Sequence, residues 1–208
     1  REMTQLADIR SEAVGGSQLE QAGAKLYIDS SEWGAIGLAQ VLVQLPAYLR
    51  AMRKLVRRLK QNPPDLLIPV DFGAFNMRLL KRLESSGLPP VFYYFPPGSW
   101  SRKPQDNSDL ARLVNRIATP FPWSERILKE AGIDAHFMGH PVVERIKPPA
   151  DRDAFRRSLD IPEADFYLGM MPGSRRVERG LLGPEFVGAA RILLDRGVDV
   201  HTLFSPPP

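Results

Sequence analysis

The turn at 171–175, Met-Pro-Gly-Ser-Arg, combines three residue types that together can bind a phosphate. Gly173 permits a tight turn, Ser174 can cap a helix or hydrogen-bond a phosphate, and Arg175 can contact one bidentately near a helix N-terminus. Glu178 follows three residues later, where the next helix is predicted. The pattern indicates a site for a diphosphate or a sugar phosphate. The alternative is an ordinary strand-to-helix turn with a solvated arginine.

Two further residues with useful side chains follow predicted strands. Asp71 comes at the carboxyl end of a strand, which is where open α/β sheets bind their ligands. A carboxylate there can take a proton from a hydroxyl, and the alternative is an N-cap for the next helix. His140 follows a later strand and is either a base or phosphate contact, or a structural hydrogen-bonding group, which the sequence favours.

Two longer segments suit sugar or anionic ligands. The loop at 95–103 combines aromatic residues with two cations and can contact a sugar face and a phosphate, although a plain surface loop fits equally well. Residues 36–60 have apolar side chains at helical spacing, and Pro46 is expected to kink or divide this helix. The helix either lies on an anionic membrane or, as its composition favours, packs on a core with a solvated basic face. Its cations are Arg50, Arg53, Lys54, Arg57, Arg58 and Lys60.

The elements that position these residues alternate between strands and helices, which predicts a parallel, doubly wound α/β sheet. The predicted strands are 66–70, 91–95, 117–121, 135–138, 166–171 and 198–204. The predicted helices are 75–86, 108–116, 124–131, 152–159 and 186–196. A proline pair at 148–149 predicts a linker at 148–151 between a first domain, 1–147, and a second, 152–208.

Composition excludes several classes of site. The chain has 208 residues, no cysteine and 3 histidines. A disulfide scaffold, a cysteine-ligated zinc site and a thiol nucleophile are therefore excluded. The net charge of +4 favours anionic partners such as phosphates, nucleic acid or anionic lipid. No apolar run approaches the ~20 residues of a membrane span.

Taken in order, several short motifs resemble the lipid-A-disaccharide synthase family, which consists of GT-B glycosyltransferases. The motifs are Val14-Gly15-Gly16 with Ala22-Gly23, Ile36-Gly37-Leu38, Pro64-Asp65 leading into Asp71 and Phe75-Asn76, Tyr94 with Pro97 and Trp100, Pro120-Phe121, Gly139-His140-Pro141, and Pro172-Gly173-Ser174-Arg175 with Glu178. The resemblance covers nearly the whole chain. It implies a GT-B fold, with a Rossmann-like acceptor domain over 1–147 and the beginning of a nucleotide-sugar domain over 152–208.

The resemblance also implies an activity. The family transfers an acylated glucosamine from a UDP donor to an acylated glucosamine 1-phosphate, which forms the β-1,6 disaccharide of lipid A and releases UDP. By resemblance, Asp71 is the base on the acceptor hydroxyl and Arg175 is a required cation. The implied substrate contacts are Asn76, Pro97, Trp100, Lys103, His140, Gly173, Ser174 and Glu178. No metal, organic cofactor or nucleic acid is implied. The expected location is the inner face of the bacterial inner membrane, with Arg50, Arg53, Lys54, Arg57 and Arg58 facing the lipid.

The chain departs from the family pattern in the loop after Tyr94, where the family's Trp-Ala-Trp run reads Trp100-Ser101-Arg102. The open alternatives are another GT-B glycolipid glycosyltransferase, a UDP-sugar epimerase, and a non-catalytic module that binds anionic membranes. By resemblance, the family's first strand-turn lies before Arg1 and most of its second domain lies after Pro208. The chain alone is therefore expected not to turn over substrate.

Overall fold

A computed structural model describes residues 9–31, 38–96, 98, 103–158, 160, 167–173, 176–198 and 200–204. For 38–44, 104–105 and 176–177 it describes the backbone only. The chain divides into two compact units, Arg1–Lys147 and Pro148–Pro208. That the first is an acceptor domain and the second the beginning of a nucleotide-sugar domain stays a prediction.

Short parallel strands alternate with helices in both units. The strands in the described part of the chain are β1 (Glu12–Gly15), β2 (Lys25–Asp29), β3 (Phe92–Tyr94), β4 (Arg116–Thr119), β5 (Ala135–Phe137), β6 (Tyr167–Met170) and β7 (His201–Phe204). The helices there are α1 (Ser17–Gln21), α2 (Leu38–Gln61), α3 (Gly73–Leu83), α4 (Ser108–Leu113), α5 (Pro122–Glu130), α6 (Pro141–Arg145), α7 (Arg152–Ser158) and α8 (Arg176–Asp195). All of the strand pairs are parallel, so the predicted α/β class is confirmed.

The central sheet of the first unit has the strand order β3-β4-β5. Its register places Tyr93 opposite Ile117, and Ala118 opposite His136. Strands β1 and β2 pair with each other in a separate sheet of the same unit. Because β3, β4 and β5 are parallel, the turns that follow them leave from the same edge.

The strand predicted at 66–70 is wrong as a continuous strand. Only Leu67 and Val70 form bridges, to Val91 and Tyr94 respectively, and both bridges are parallel. Pro69 has no backbone N–H and so cannot donate to a ladder, although its carbonyl accepts a hydrogen bond from the Tyr94 N–H at 2.8 Å. The segment therefore runs beside β3 and ends at the same edge of the sheet.

Helix α3 lies between two apolar clusters and directly follows the Asp71 turn. Leu80 belongs to the cluster that contains the sheet residues Val91 and Ile117. The opposite cluster joins α3 to α2 through Phe75, Leu79, Leu83, Met52 and Leu55. Full burial of an apolar side chain of this size contributes about 1.5–3 kcal/mol, so α3 is fixed from both sides.

Two helices differ from their predicted bounds at prolines. Helix α2 continues through Pro46, where a kink or division was expected. Helix α8 includes Pro184 and begins ten residues before the predicted start at 186. A proline removes one helical hydrogen bond and crowds the preceding turn, but neither effect ends the helix at these positions. The segment 141–145, which is helix α6, was not predicted.

The second unit contains the parallel pair β6 and β7 together with α7 and α8. Its buried apolar residues in the described part of the chain include Met170, Ala190 and Val200. Large apolar side chains are exposed on α8, among them Leu181 and Ile192. Its core is therefore much smaller than that of the first unit.

Candidate active site

Four segments of the first unit end at one edge of the central sheet, and an aromatic or ionisable residue follows each. Asp71 follows the segment at 66–70, and Phe95 follows β3 directly. Phe121 and His140 lie two and three residues after the last residues of β4 and β5. We call these four residues the carboxyl-edge site. Sequence analysis selected Asp71 and His140 as site residues for the same topological reason.

The chain turns at Asp71 through an unusual backbone conformation. Asp71 and Phe72 both have left-handed angles, with φ of 44° and 39°. A left-handed residue other than glycine costs roughly 1–2 kcal/mol, so two in succession need support from their surroundings. The Asp71 N–H donates to the Tyr94 carbonyl at 3.0 Å. Its own carbonyl accepts from the Asn76 amide at 2.9 Å and from the Tyr93 hydroxyl at 2.8 Å.

The Asp71 carboxylate itself is exposed and has no hydrogen-bond or ion-pair partner among the residues that the structure describes. The N-cap of α3 is Phe72, and no side chain caps this helix. The alternative reading of Asp71 as a helix cap is therefore wrong. The Asn76 amide nitrogen donates to the Val70 and Asp71 carbonyls, so only its oxygen is open to a ligand.

His140 combines a structural role with one ring nitrogen that has no partner in the described part of the chain. It is the N-cap of α6, and its Nδ1 accepts a hydrogen bond from the Val142 N–H at 3.2 Å. A neutral ring whose Nδ1 accepts carries its proton on Nε2, so Nε2 is a donor. The predicted structural role is thus present. The remaining nitrogen is suited to donate to a phosphate or hydroxyl oxygen and not to act as a base.

Two aromatic rings lie beside the exposed His140 side chain. The Phe95 and Phe121 ring centroids lie 6.0 and 6.1 Å from the imidazole centroid. Phe95 stacks on Tyr94 at 4.0 Å, and Phe121 stacks on Trp123 at 4.7 Å. Sequence analysis did not identify Phe121 or Trp123 as site residues. The available signal was the end of the predicted strand 117–121, which is Phe121, with Trp123 two residues beyond it.

Several predicted contacts lie outside the described residues or next to them. Outside the described residues are Pro97, Trp100, Ser174 and Arg175. Lys103 is described and exposed. Gly173 has φ of +106°, and a Cβ added there would lie 2.5 Å from the Glu178 carboxylate. The second unit therefore brings Gly173 and Glu178 together, and a side chain at 173 would displace Glu178.

Two of the predicted membrane-facing cations have intramolecular partners. Arg58 forms an ion pair with Glu12 at 2.8 Å, and its hydrogen bond holds the pKa of Glu12 below the usual value. The Lys54 ammonium lies 4.7 Å from the centroid of the Tyr27 ring. Both side chains therefore attach α2 to the β1–β2 sheet.

Other cations of α2 line a groove of about 350 Å³ between α2 and the end of α3. We call it the basic groove, and its lining residues are Met52, Arg53, Val56, Arg57, Lys60, Gln61 and Arg82. It combines four cations with an apolar floor and has no acidic lining residue. Arg50 and the apolar Leu45 and Leu49 are also exposed on α2.

No helix in the described part of the chain is both long and apolar enough to cross a membrane. Among the same residues, no three histidine, aspartate or glutamate side chains cluster as metal ligands would.

A family model described as lipid-A-disaccharide synthetase matches residues 1–206. The chain belongs to this family. It is 34% identical over 183 residues to the lipid-A-disaccharide synthase of Geobacter metallireducens, covering 88% of this chain and 47% of that protein. The lipid-A-disaccharide synthase of Syntrophus aciditrophicus is 33% identical over 195 residues, which are 94% of this chain and 51% of that protein. The lipid-A-disaccharide synthase of Anaeromyxobacter dehalogenans strain 2CP-C is 36% identical over 180 residues, which are 86% of this chain and 46% of that protein.

This member of the lipid-A-disaccharide synthetase family spans about half the length of the curated relatives it matches. The match confirms the resemblance found in the sequence, and with it the GT-B class of the fold. The roles of individual residues are not tested by the match and stay predictions.

Proposed function

We propose that the complete gene product carrying this chain is a hexosyltransferase of lipid A synthesis. It transfers a diacylglucosamine from its UDP donor to a diacylglucosamine 1-phosphate, forming the β-1,6 disaccharide and UDP. Family membership supports the reaction class. The observation that carries the proposal is the exposed Asp71 carboxylate, which follows a sheet segment at the carboxyl edge and has no partner among the described residues.

In the proposed reaction, Asp71 acts as general base. The acceptor hydroxyl oxygen bonds to C1 of the donor sugar while its proton passes to the Asp71 carboxylate. The bond from C1 to the UDP oxygen breaks, and UDP leaves with the electron pair. An unpaired carboxylate suits this step because no ion pair has to be broken before it accepts the proton. Arg175, from the turn at 171–175, would stabilise the charge that develops on the diphosphate.

The other site residues would bind and orient the substrates. Nε2 of His140 would donate to a phosphate or sugar oxygen, since Nδ1 is occupied by the Val142 N–H. The rings of Phe95 and Phe121 beside it offer apolar surface to a sugar or an acyl chain. Further contacts are proposed for Asn76 through its oxygen, and for Pro97, Trp100, Lys103, Gly173, Ser174 and Glu178.

The assay for this function uses the complete gene product, the UDP-linked diacylglucosamine and the diacylglucosamine 1-phosphate. We expect disaccharide and UDP in equal amounts, measured by mass spectrometry. Asp71→Ala and Arg175→Ala should each abolish product formation. Conversion of the UDP donor without acceptor would instead identify an epimerase. If no disaccharide formed under any acceptor condition, the proposed reaction would be wrong.

We further propose that the protein acts at the cytoplasmic face of the inner membrane, with one side of α2 against the lipid. Leu45 and Leu49 are 44% and 45% exposed, and Arg53 and Arg57 continue the same side of the helix at spacings of four. Apolar side chains beside cations suit an anionic interface, where each Lys or Arg contributes about 1 kcal/mol. The basic groove, which includes Lys60 and Arg82, extends this surface.

Vesicle flotation tests the membrane surface. The complete gene product should bind vesicles containing phosphatidylglycerol more strongly than vesicles of phosphatidylcholine alone. Arg53→Gln and Arg57→Gln should each weaken binding about five-fold, because about 1 kcal/mol per cation is removed. Lys54→Gln is the matched control, since Lys54 is already paired with Tyr27. Equal loss in all three variants would contradict the assignment of this side of α2. Tight vesicle binding together with an active Asp71→Ala protein would favour a non-catalytic binding module.

A further inference from the structure

The backbone of Asp71 is held from two sides by side chains that do not follow it directly in sequence. Tyr93 lies at the centre of β3 and is fully buried, and its hydroxyl donates to the Asp71 carbonyl at 2.8 Å. Asn76, on the first turns of α3, donates to the same carbonyl at 2.9 Å. The sheet and the helix therefore both bind one carbonyl oxygen.

This carbonyl lies at the point where the chain is least able to hold its conformation alone. Asp71 and Phe72 are left-handed, and neither is a glycine. Non-glycine residues prefer extended or right-handed conformations, so without external restraints the turn would relax toward them. Relaxation would change the direction in which the carboxylate leaves the backbone. A displacement of about 1 Å in a reacting group can cost about 100-fold in rate.

We propose that Tyr93 is a positioning residue for Asp71. Its hydroxyl, together with the Asn76 amide, clamps the Asp71 carbonyl, holds the left-handed turn and so fixes the place of the carboxylate at the carboxyl edge. This inference rests on the proposed role of Asp71 as the base. It assigns a catalytic consequence to a buried tyrosine that does not touch the substrate.

The test compares Tyr93→Phe with the unmodified complete gene product. The ring that fills the core is kept and one oxygen is lost. We expect kcat to fall by about 10- to 100-fold, with the KM for both substrates changed by less than about two-fold. Tyr167→Phe is the matched control, because the buried Tyr167 hydroxyl has no hydrogen-bond partner among the described residues. Tyr167→Phe should have the same kcat as the unmodified protein. Unchanged kcat in Tyr93→Phe, or a rise in KM alone, would overturn the proposal.

Hydrogen exchange gives a second measurement that does not depend on activity. The amides of Phe75 and Asn76 both donate to the Phe72 carbonyl, so they report whether the turn keeps its conformation. We expect these two amides to exchange faster in Tyr93→Phe than in the unmodified protein. In Tyr167→Phe their exchange rates should be unchanged. Unchanged exchange in Tyr93→Phe would show that the hydroxyl does not hold the turn, and would overturn the clamp whatever the rate.

Two further variants separate failure of the clamp from failure of the proposed function. If Asp71→Asn keeps full activity, Asp71 is not the base. Tyr93 is then not a positioning residue for catalysis, even if hydrogen exchange shows that its hydroxyl holds the turn. If Tyr93→Phe does not fold, Asn76→Ala removes the hydrogen bond from the other side of the clamp and should produce the same exchange signature, which does not depend on the substrate contact proposed for Asn76. Normal kcat in a folded Asn76→Ala protein would count against the clamp. Phe72→Asn, which better tolerates the left-handed region, should restore part of the kcat lost in Tyr93→Phe.

Discussion

Asp134 and Asp71 lie at opposite edges of the central sheet and differ in whether their carboxylates have partners in the described part of the chain. Near the amino ends of β4 and β5, Asp134 binds Arg116 at 2.6 Å and His136 at 2.7 Å. A second group of ion pairs near this edge joins Lys81, Glu84, Asp109 and Arg112. At the carboxyl edge, the Asp71 carboxylate and the Nε2 of His140 have no partner among the described residues.

The contrast distinguishes charged side chains that stabilise the fold from charged side chains that are available to a ligand. A paired carboxylate has its charge compensated within the protein, and removing its partner affects folding more than binding. An exposed carboxylate without a partner contributes little to the fold and can accept a proton or a hydrogen bond from a ligand. The local support at the carboxyl edge comes instead from backbone contacts, which leave these side-chain atoms available. The edges should therefore respond differently to the same chemical change.

The largest effect is expected for Asp71→Asn. The amide cannot accept the proton of the acceptor hydroxyl, so kcat should fall by about 10²- to 10⁴-fold. The free energy of unfolding should change by no more than about 0.5 kcal/mol, because the carboxylate has no partner to lose among the residues that the structure describes. Steady-state kinetics and urea denaturation of the complete gene product measure the two quantities.

Asp65→Asn is the matched control for this variant. Asp65 is also exposed and precedes the same segment at its opposite end. The same exchange of carboxylate for amide there should leave kcat unchanged. A comparable loss in both variants would show that general charge, and not a base at Asp71, governs the rate.

Sequence reasoning located the carboxyl edge because strand ends are visible in the pattern of apolar runs and turns. Asp71 and His140 were found in this way. The left-handed turn at Asp71 was not predictable, because glycine, the usual signal for that conformation, stands two positions later at Gly73. Its support by Tyr93 depends on a contact across 22 residues of sequence.

Long-range pairing also explains what sequence analysis missed on α2. The cations at 50–58 look alike in sequence, and their spacing places Lys54 and Arg58 on one side. Only the fold shows that Glu12 and Tyr27 lie against that side. The prediction of a continuous strand at 66–70 was wrong for a local reason, because Pro69 has no N–H to donate to the backbone hydrogen bonds of the sheet. The helix predicted at 186–196 starts too late, because α8 begins at Arg176 and continues through Pro184.

A smaller effect is expected for His140, whose ring serves both the fold and the site. His140→Ala removes the cap on the Val142 N–H, which should cost about 0.5–1 kcal/mol of stability, together with the Nε2 donor. His140→Asn can restore the cap but not the ring. We expect both variants to lose about ten-fold in kcat/KM, as is typical for one lost hydrogen bond to a charged group, and only the alanine variant to lose stability. If His140→Asn were as active as the unmodified protein, the role of His140 would be limited to capping the helix.

The smallest effect on activity is expected at the opposite edge, for Asp134→Asn. Hydrogen bonds from Arg116 and then His136 hold the pKa of Asp134 below its usual value. A lowered pKa in the folded state means that the carboxylate stabilises the fold above its ordinary pKa. That contribution is lost as the pH falls through the lowered value. Asp134→Asn should therefore keep kcat at neutral pH and flatten the loss of stability as the pH falls below the ordinary pKa of aspartate, measured by thermal unfolding. If Asp134→Asn impaired turnover as strongly as Asp71→Asn, the division of the sheet into a structural and a functional edge would be wrong.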